Sequence, residues 1–437
     1  MSSRYNRFDR FSRRNIVAQP EQNCSRSPVN PTGNLAENPV PVQTKPPGRR
    51  LMSLDALRGF DMFWIVGGEE VVHALYKAWP SGPLQLLDQQ MDHKPWAGVA
   101  FYDLIFPLFV FIVGVSLVFS LSRTIEQFGK AAAVKRILLR SLAIYVLGLL
   151  VYGGISKGVD HIRWMGVLQR IALSYLFAGL IFCAFRLKAM IGICVSLLVL
   201  YWALVSFVPV RDFNLEKKHL QNLQLAPESP ETVARFYATT NWVRGSFEDG
   251  RNLPQHLDFR YLPGFKWDGA YDPEGLLSTL PAIATCLLGA FAGFLLKNPG
   301  VPDQRKVYYL LVGGIAGVIL GFLWGLQFPV IKKIWTSSYV LVAGGYSCLL
   351  LAAFFQMIEI WQWRRWCTPF VWIGMNAITI YLVFNLLPLG PIAERIAGGP
   401  VEHALNPWGE LVLSLVVVGL MFALVRFLYQ RKIFLRL

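Results

Sequence analysis

The chain has 437 residues, of which 54% are hydrophobic and only 16% charged, with a mean hydropathy of +0.42. A soluble domain carries roughly 25% charged residues, so a soluble globular enzyme is excluded. The net charge of +15, from 42 Lys and Arg against 27 acids, would suggest nucleic acid in a soluble protein. Here most cations sit in tails and short loops between apolar blocks, where they set membrane orientation instead, and no nucleic-acid partner is expected.

Residues 1–50 are polar, basic and rich in Pro, Asn, Ser and Arg. Such a composition cannot bury enough surface to fold alone, so a retained, disordered tail is expected. The remainder, 51–437, reads as one membrane domain. A bilayer-spanning helix needs about 20 apolar residues. Windows of that kind fall near 55–76, 98–122, 134–154, 165–185, 189–208, 276–296, 307–326, 338–358, 370–388 and 408–429. The expected fold is therefore an all-α integral membrane protein, a polytopic bundle of about ten transmembrane helices. The first window is interrupted by Asp55, Arg58, Asp61, Glu69 and Glu70, and charges at such depth usually face a bundle interior or cavity.

Lys and Arg alternate in density from one short loop to the next, which predicts that both termini are cytoplasmic. The long 209–272 loop then lies outside. Its Trp242, Phe247, Phe259, Tyr261, Phe265 and Trp267 predict that it packs down as a lid. Glycines 313, 317, 321 and 325, with 289 and 293, fall every fourth residue, a spacing that lets membrane helices approach closely. The six cysteines show no C-x-x-C spacing and no H-E-x-x-H occurs. They read as buried or reduced thiols, and no metal is expected.

The densest polar region runs from Leu51 to Pro107. Asp55 and Arg58 share a helix face, either as an internal ion pair or as a grip on an anionic ligand at the cytoplasmic mouth. His93 stands two residues before Pro95, at the outer boundary, where an imidazole titrates near neutral pH. It is followed by Trp96 and by Asp103. A lone interfacial histidine is most often merely solvated, and spacing alone leaves catalysis as the minority reading. Arg163, Gln169 and Arg170 flank the fourth window, and Asn376 and Asn385 lie in the ninth. Asp272 and Glu274 precede the sixth, where an acid caps a helix start as readily as it meets a ligand.

Taken in order, these motifs resemble the heparan-α-glucosaminide N-acetyltransferase family and its bacterial relatives. The resemblance is carried by Leu54-Asp55-Ala56-Leu57-Arg58-Gly59, by His93 with Trp96 and Asp103-Leu104-Ile105-Phe106-Pro107, and by Gly166-Val167-Leu168-Gln169-Arg170. It continues in Tyr271-Asp272-Pro273-Glu274-Gly275, Trp335-Thr336-Ser337-Ser338-Tyr339 and Gly374-Met375-Asn376-Ala377-Ile378. It implies transfer of acetyl from cytosolic acetyl-CoA to a glucosamine-type sugar amine on the far side of the membrane. His93 would be the catalytic residue, acting as general base or as acyl carrier, with Asp103 orienting the imidazole.

Glu69 stands where the family commonly has an asparagine. Its carboxylate could orient the histidine or bind the acceptor ammonium, but it cannot donate to an oxyanion. Trp96, Asp272, Glu274 and Asn376 are expected on the acceptor. Asp55, Arg58, Arg123, Arg136, Arg140 and Arg170 are expected toward CoA, although topology alone would also put cations at cytoplasmic helix ends. Two other readings stay open: an amino-sugar transporter, and an O-acetyltransferase of an envelope polysaccharide. The expected setting is a bacterial inner membrane, with homodimerisation left open.

Overall fold

The computed structural model describes residues 51–435 apart from 157 and 388; the expected disordered tail, 1–50, lies outside the described residues. From Leu51 the chain forms α1 (Met52–Phe63), a π-helical turn over Trp64–Gly68, α2 (Glu69–Ala78) and α3 (Gly82–Met91). The break falls at Gly67, whose φ of 133° is comfortable only without a side chain. A 3-10 turn at Tyr102–Leu104 leads into α4 (Ile105–Val151), itself interrupted at Gly129 with φ 81°. Then follow α5 (Val167–Ala184) and α6 (Leu187–Phe207).

The long loop carries a two-stranded antiparallel ribbon, β1 (Val210–Arg211) with β2 (Trp242–Val243), and three short helices, α7 (Lys217–Asn222), α8 (Pro230–Ala238) and α9 (Leu253–Tyr261). After it come α10 (Thr279–Lys297), α11 (Asp303–Gly325) and α12 (Ser337–Phe355). The chain ends with α13 (Thr368–Met375), α14 (Ala377–Leu386), α15 (Leu389–Ala397), α16 (Pro400–Ala404) and α17 (Gly409–Gln430).

The protein is thus an all-α polytopic membrane protein. Among the described residues seven helices are long and apolar enough to cross a membrane, or eight if α13 and α14, bent by 75°, form one broken span. That is fewer than the ten apolar windows, for identifiable reasons. Windows 98–122 and 134–154 share α4 and are parted by Gly129. The charged first window is split into α1 and α2 by the π-turn, and the ninth is the bent pair at Asn376.

Close backbone approach holds the bundle together. A Cβ on Gly59 would fall 1.7 Å from the Phe370 carbonyl oxygen, and one on Gly374 would fall 1.9 Å from that of Asp55, so α1 and α13 touch backbone to backbone. The α11–α12 seam uses Gly314, Gly317 and Gly321 against Val342 and Gly345, whereas Gly313 meets nothing within 4 Å. The lattice of small residues is therefore real, but its first member is shifted by one position. Ile315, Ile319, Leu320 and Leu323 on α11 are exposed, as suits an apolar face toward acyl chains. The five described cysteines are free.

The 209–272 segment has a small core of its own, made of Leu215, Leu220, Leu225, Phe236, Ala270 and Tyr271. Ser229 and Asn252 cap α8 and α9 with side-chain oxygens. Phe247 packs on the fully buried Phe328, ring centroids 5.2 Å apart. Trp242, Tyr261, Phe265 and Trp267 instead stay exposed, so only part of the expected aromatic set packs inward.

Candidate active site

The 3-10 turn before α4 buries Asp103 completely and points its carboxylate back at the preceding loop. Asp103 Oδ1 lies 2.8 Å from His93 Nδ1, while Oδ2 accepts the backbone N–H groups of Lys94 at 3.2 Å and Ala100 at 3.0 Å. The His93 side chain is 53% exposed against 1% for Asp103, so a buried, fully bonded carboxylate orients an accessible imidazole. Tyr102 lies beside the ring, centroid to centroid 4.8 Å, and its hydroxyl donates toward Glu69 at the start of α2. His93, Asp103 and Glu69, named from separate parts of the sequence, are brought together.

A further residue joins them. The segment after His93 pairs with the α11–α12 connection through a bridge between Ala97 and Ile331, and Gly98 N–H bonds the Val330 carbonyl at 2.9 Å. This sets the Lys332 ammonium 2.9 Å from His93 Nδ1, 3.1 Å from Nε2 and 3.4 Å from Asp103 Oδ1. Sequence reasoning passed over Lys332. The available signal was its place three residues before the Trp335-Thr336-Ser337-Ser338-Tyr339 motif, whose Tyr339 hydroxyl donates to the Asp103 carbonyl at 2.6 Å.

Trp96 gives its indole N–H to the Phe247 carbonyl, 2.7 Å away, and not to the imidazole. Asp272 is saturated. It takes a bidentate pair from Arg163, at 2.9 and 2.8 Å, together with the Trp267 and Glu274 backbone N–H groups. Arg163 also reaches Glu274 Oε2 at 2.7 Å, and its guanidinium lies 4.4 Å from the Tyr152 ring. Burial opposes the Arg163 charge, but the two carboxylates more than offset it and hold the group above its ordinary range. Burial and the neighbouring Asp272 push Glu274 up to about 7. Asp272 is an anchor for the loop, and Glu274 is the member of the pair whose side chain retains 11% exposure.

Asn376 sits at the bend between α13 and α14, with Nδ2 3.4 Å from the Trp372 carbonyl and Oδ1 buried without a partner. Arg170 is fully buried on the loop side of α5. It donates to Ser278 and to the Gly275 carbonyl and lies 4.8 Å from the Trp335 ring. Its place is therefore apart from the other expected CoA contacts. Those lie farther along α1 and α4: Arg58 with Asp55 and Ser116, Arg136 donating to Thr124 at 2.9 Å, and Arg140 over the Tyr175 ring at 4.8 Å. Arg123 adjoins Thr124. At 1.5 Å per residue, Thr124 is about 30 Å along α4 from Asp103, so the Arg123–Arg136 end and the His93 end are a membrane thickness apart.

Between these ends lie buried polar atoms without hydrogen-bond partners, Arg140 Nε, Ser174 Oγ, and Arg170 Nε and Nη1, while the Tyr175 hydroxyl faces Arg140. On α1, both carboxylate oxygens of Asp61 are likewise buried and unbonded. Among the described residues no group of three or more His, Cys, Asp or Glu could hold a metal ion.

Residues 50–238 match the family model for the catalytic region of heparan-alpha-glucosaminide N-acetyltransferase. Heparan-alpha-glucosaminide N-acetyltransferase from Mus musculus is 24% identical over 392 residues, covering 78% of this chain and 56% of that protein. The Homo sapiens protein of the same name is 24% identical over 423 residues, covering 88% and 59%. The chain thus spans somewhat less than three-fifths of the length of these relatives. The matched region contains the α1 charges, His93 and Asp103. By this match and these relatives, the chain is similar to heparan-alpha-glucosaminide N-acetyltransferases, with the family model confined to residues 50–238.

Proposed function

We propose that the protein moves an acetyl group from acetyl-CoA, on the side of its termini, to the amine of a glucosamine-type sugar on the side of the 209–272 loop. The carrying observation is the exposed His93 imidazole held on buried Asp103 just before the start of α4, with Arg123 and Arg136 flanking the Gly129 break far along that helix and Arg58 on α1 between them, bonded to Ser116. The setting that fits this reading is a bacterial inner membrane with both termini cytoplasmic.

The residues present fit acetyl-CoA. Arg58, Arg123 and Arg136 offer cations for its phosphates, with Asp55 holding Arg58 in place. Farther in, the unbonded groups of Arg140, Ser174 and Arg170 offer donors for the carbonyls of an extended amide chain, since buried polar atoms otherwise remain costly. Bound there, acetyl-CoA supplies an activated acyl group. With Nδ1–H directed to Asp103, His93 presents Nε2 as the basic nitrogen toward the accessible side. It takes the amine proton as general base or receives the acyl group as nucleophile. Glu69 and Glu274 are acceptors suited to a sugar ammonium, Trp96 offers a ring at the acceptor side, and Asn376 Oδ1 is an unbonded acceptor deeper in the bundle.

The test is incubation of membranes containing the protein with labelled acetyl-CoA and a panel of amino sugars, alongside thermal stabilisation of the purified protein by CoA. Transfer of label to an amino sugar is expected. Absence of both CoA stabilisation and transfer, with uptake of amino sugar into vesicles, would replace the reading with a transporter. Label on a hydroxyl of an envelope polysaccharide would keep the donor and change the acceptor.

A further inference from the structure

Lys332 is not an ordinary surface lysine. It sits in a turn closed by Ile331 N–H to Thr336 Oγ1 at 3.0 Å, Thr336 N–H to the Ile331 carbonyl at 3.1 Å and Trp335 N–H to the Lys332 carbonyl at 2.9 Å. Trp335 adopts a φ of 52° to close that turn, and the Ala97–Ile331 bridge ties it to the His93 segment. The side chain is 21% exposed. Its ammonium is therefore delivered to His93 by fixed backbone.

The other groups around the imidazole are acceptors or are committed. Asp103 and Glu69 carboxylates only accept. The Tyr102 hydroxyl is directed at Glu69. With Nδ1–H on Asp103, the ring nitrogen left to accept from Lys332 is Nε2, at 3.1 Å. A carbonyl carbon or amine that takes the Nε2 lone pair displaces the ammonium from it, and the carbonyl oxygen is the next acceptor that the ammonium meets. We infer that Lys332 is a catalytic residue of the acyl transfer at His93, the donor that meets the carbonyl oxygen as negative charge develops on it.

The inference rests on the acetyl-transfer reading. In the direct form of that reaction, the neutral amine nitrogen bonds to the carbonyl carbon, and the C=O π pair moves onto the oxygen beside Lys332. That pair returns as the C–S bond breaks. The amine proton passes to His93 Nε2 and from there to the departing thiolate, giving the amide and free CoA. A donor aimed at a developing oxyanion acts in the transition state far more than in the ground state. Burial pushes the Lys332 ammonium below its ordinary value, with Asp103, Glu274 and Glu69 pulling the other way, which makes it a stronger hydrogen-bond donor.

The experiment uses the full chain in detergent or nanodiscs, with Lys332→Met, Lys332→Arg and His93→Ala compared with the wild type. Lys332→Met is expected to lower kcat by roughly 10²–10³-fold with the acetyl-CoA KM little changed, and Lys332→Arg to restore part of it. A second readout needs no turnover: the affinities of two inert CoA thioethers, S-acetonyl-CoA, which keeps a carbonyl, and S-propyl-CoA, which lacks it. The wild type should favour the carbonyl form by roughly five- to tenfold, the worth of one hydrogen bond, and Lys332→Met should bring that ratio to about one. If Lys332→Met does not fold, judged by loss of CoA stabilisation, the thioether ratio in Lys332→Arg decides, and a ratio of one in the wild type itself overturns the inference. Near-normal kcat in Lys332→Met while His93→Ala is inactive overturns Lys332 alone. Normal transfer in His93→Ala overturns the reading on which it rests.

Discussion

Trp96 donates its indole N–H to the carbonyl of Phe247 at 2.7 Å, across 151 residues of sequence. The segment that carries His93 is thereby fastened to the 209–272 loop, and Phe247 in turn packs on Phe328. Replacing Trp96 by Phe keeps an aromatic ring but removes the bond together with the five-membered ring that carries the N–H. Hydrogen exchange at residues 246–250 should then accelerate by roughly five- to tenfold, the worth of one hydrogen bond. The acceptor KM should rise while CoA affinity stays the same. Unchanged exchange would mean that the loop is held elsewhere.

The His93–Asp103 pair divides its work between an accessible ring and a buried carboxylate. His93→Ala should leave CoA stabilisation intact and reduce acetyl transfer by at least about a hundredfold, the lower range for acid–base assistance. Asp103→Asn should reduce transfer as well, because an amide has one acceptor oxygen where Asp103 now serves His93, Lys94 and Ala100. His161 and His403, both exposed, should tolerate alanine with little loss. Near-normal turnover in His93→Ala would remove the imidazole from the mechanism.

Much of this was legible in the linear chain because the informative features are local. Apolar windows became helices, Asp61 in the charged first window is fully buried, and His93 finds Asp103 only ten residues on. What was not legible depends on distant joins. Lys332 reaches His93 across 239 residues because of a bridge at Ala97 that no periodicity announces. Asp272 read equally as cap or ligand contact until Arg163, 109 residues away, took both its oxygens. Arg170 read as a cation for CoA, but its neighbours Ser278 and Trp335 come from the distant segments that lead into α10 and α12. The exposed Trp267 shows the same limit, since aromatic content says that a loop can pack without saying which rings do.

The Arg163 cluster should be structural first. Arg163→Met would leave Asp272 and Glu274 buried without their cation, a loss on the order of 3–5 kcal/mol, read as a large fall in Tm. Glu274→Gln should be much milder, because it gives up one bond to Arg163 and Glu274 is already pushed up to about 7 by burial and Asp272. Equal destabilisation by the two changes would show that Glu274, not Asp272, is the anchor. A raised acceptor KM in stable Glu274→Gln would support its place on the sugar amine.

The proposed sidedness rests on the Lys and Arg distribution and is open to direct chemistry. In a cysteine-free background, single cysteines at Ser229, in the loop, and at Lys130, beside the Gly129 break in α4, should react with an impermeant maleimide from opposite faces of sealed vesicles. Labelling of both from one face would remove the transmembrane direction from the proposed transfer.

The loop also contains an acid-sensitive residue. His256 is 6% exposed, and its Nε2–H is shared by the Phe213 and Gly250 carbonyls, each 3.1 Å away. Its ring packs on Phe236, with centroids 5.2 Å apart. Burial pushes the imidazole down to about 4 from 6.5, so the folded loop holds it neutral where the unfolded chain would protonate it. That contribution to stability is complete above pH 6.5 and is lost as the pH falls toward 4, up to about 3 kcal/mol. Asp258 works in the opposite direction: burial pushes it up to about 7, so its contribution is complete below its unfolded value and fades as the pH rises through 7. The two partly cancel in the wild type, and His256→Gln separates them by keeping a donor that cannot titrate. Relative to this variant, the wild-type loop should lose protection from hydrogen exchange progressively between pH 6.5 and 4.5, by up to roughly a hundredfold. A ratio of wild type to variant that stays constant across that interval would assign the acid sensitivity of the loop to a group other than His256.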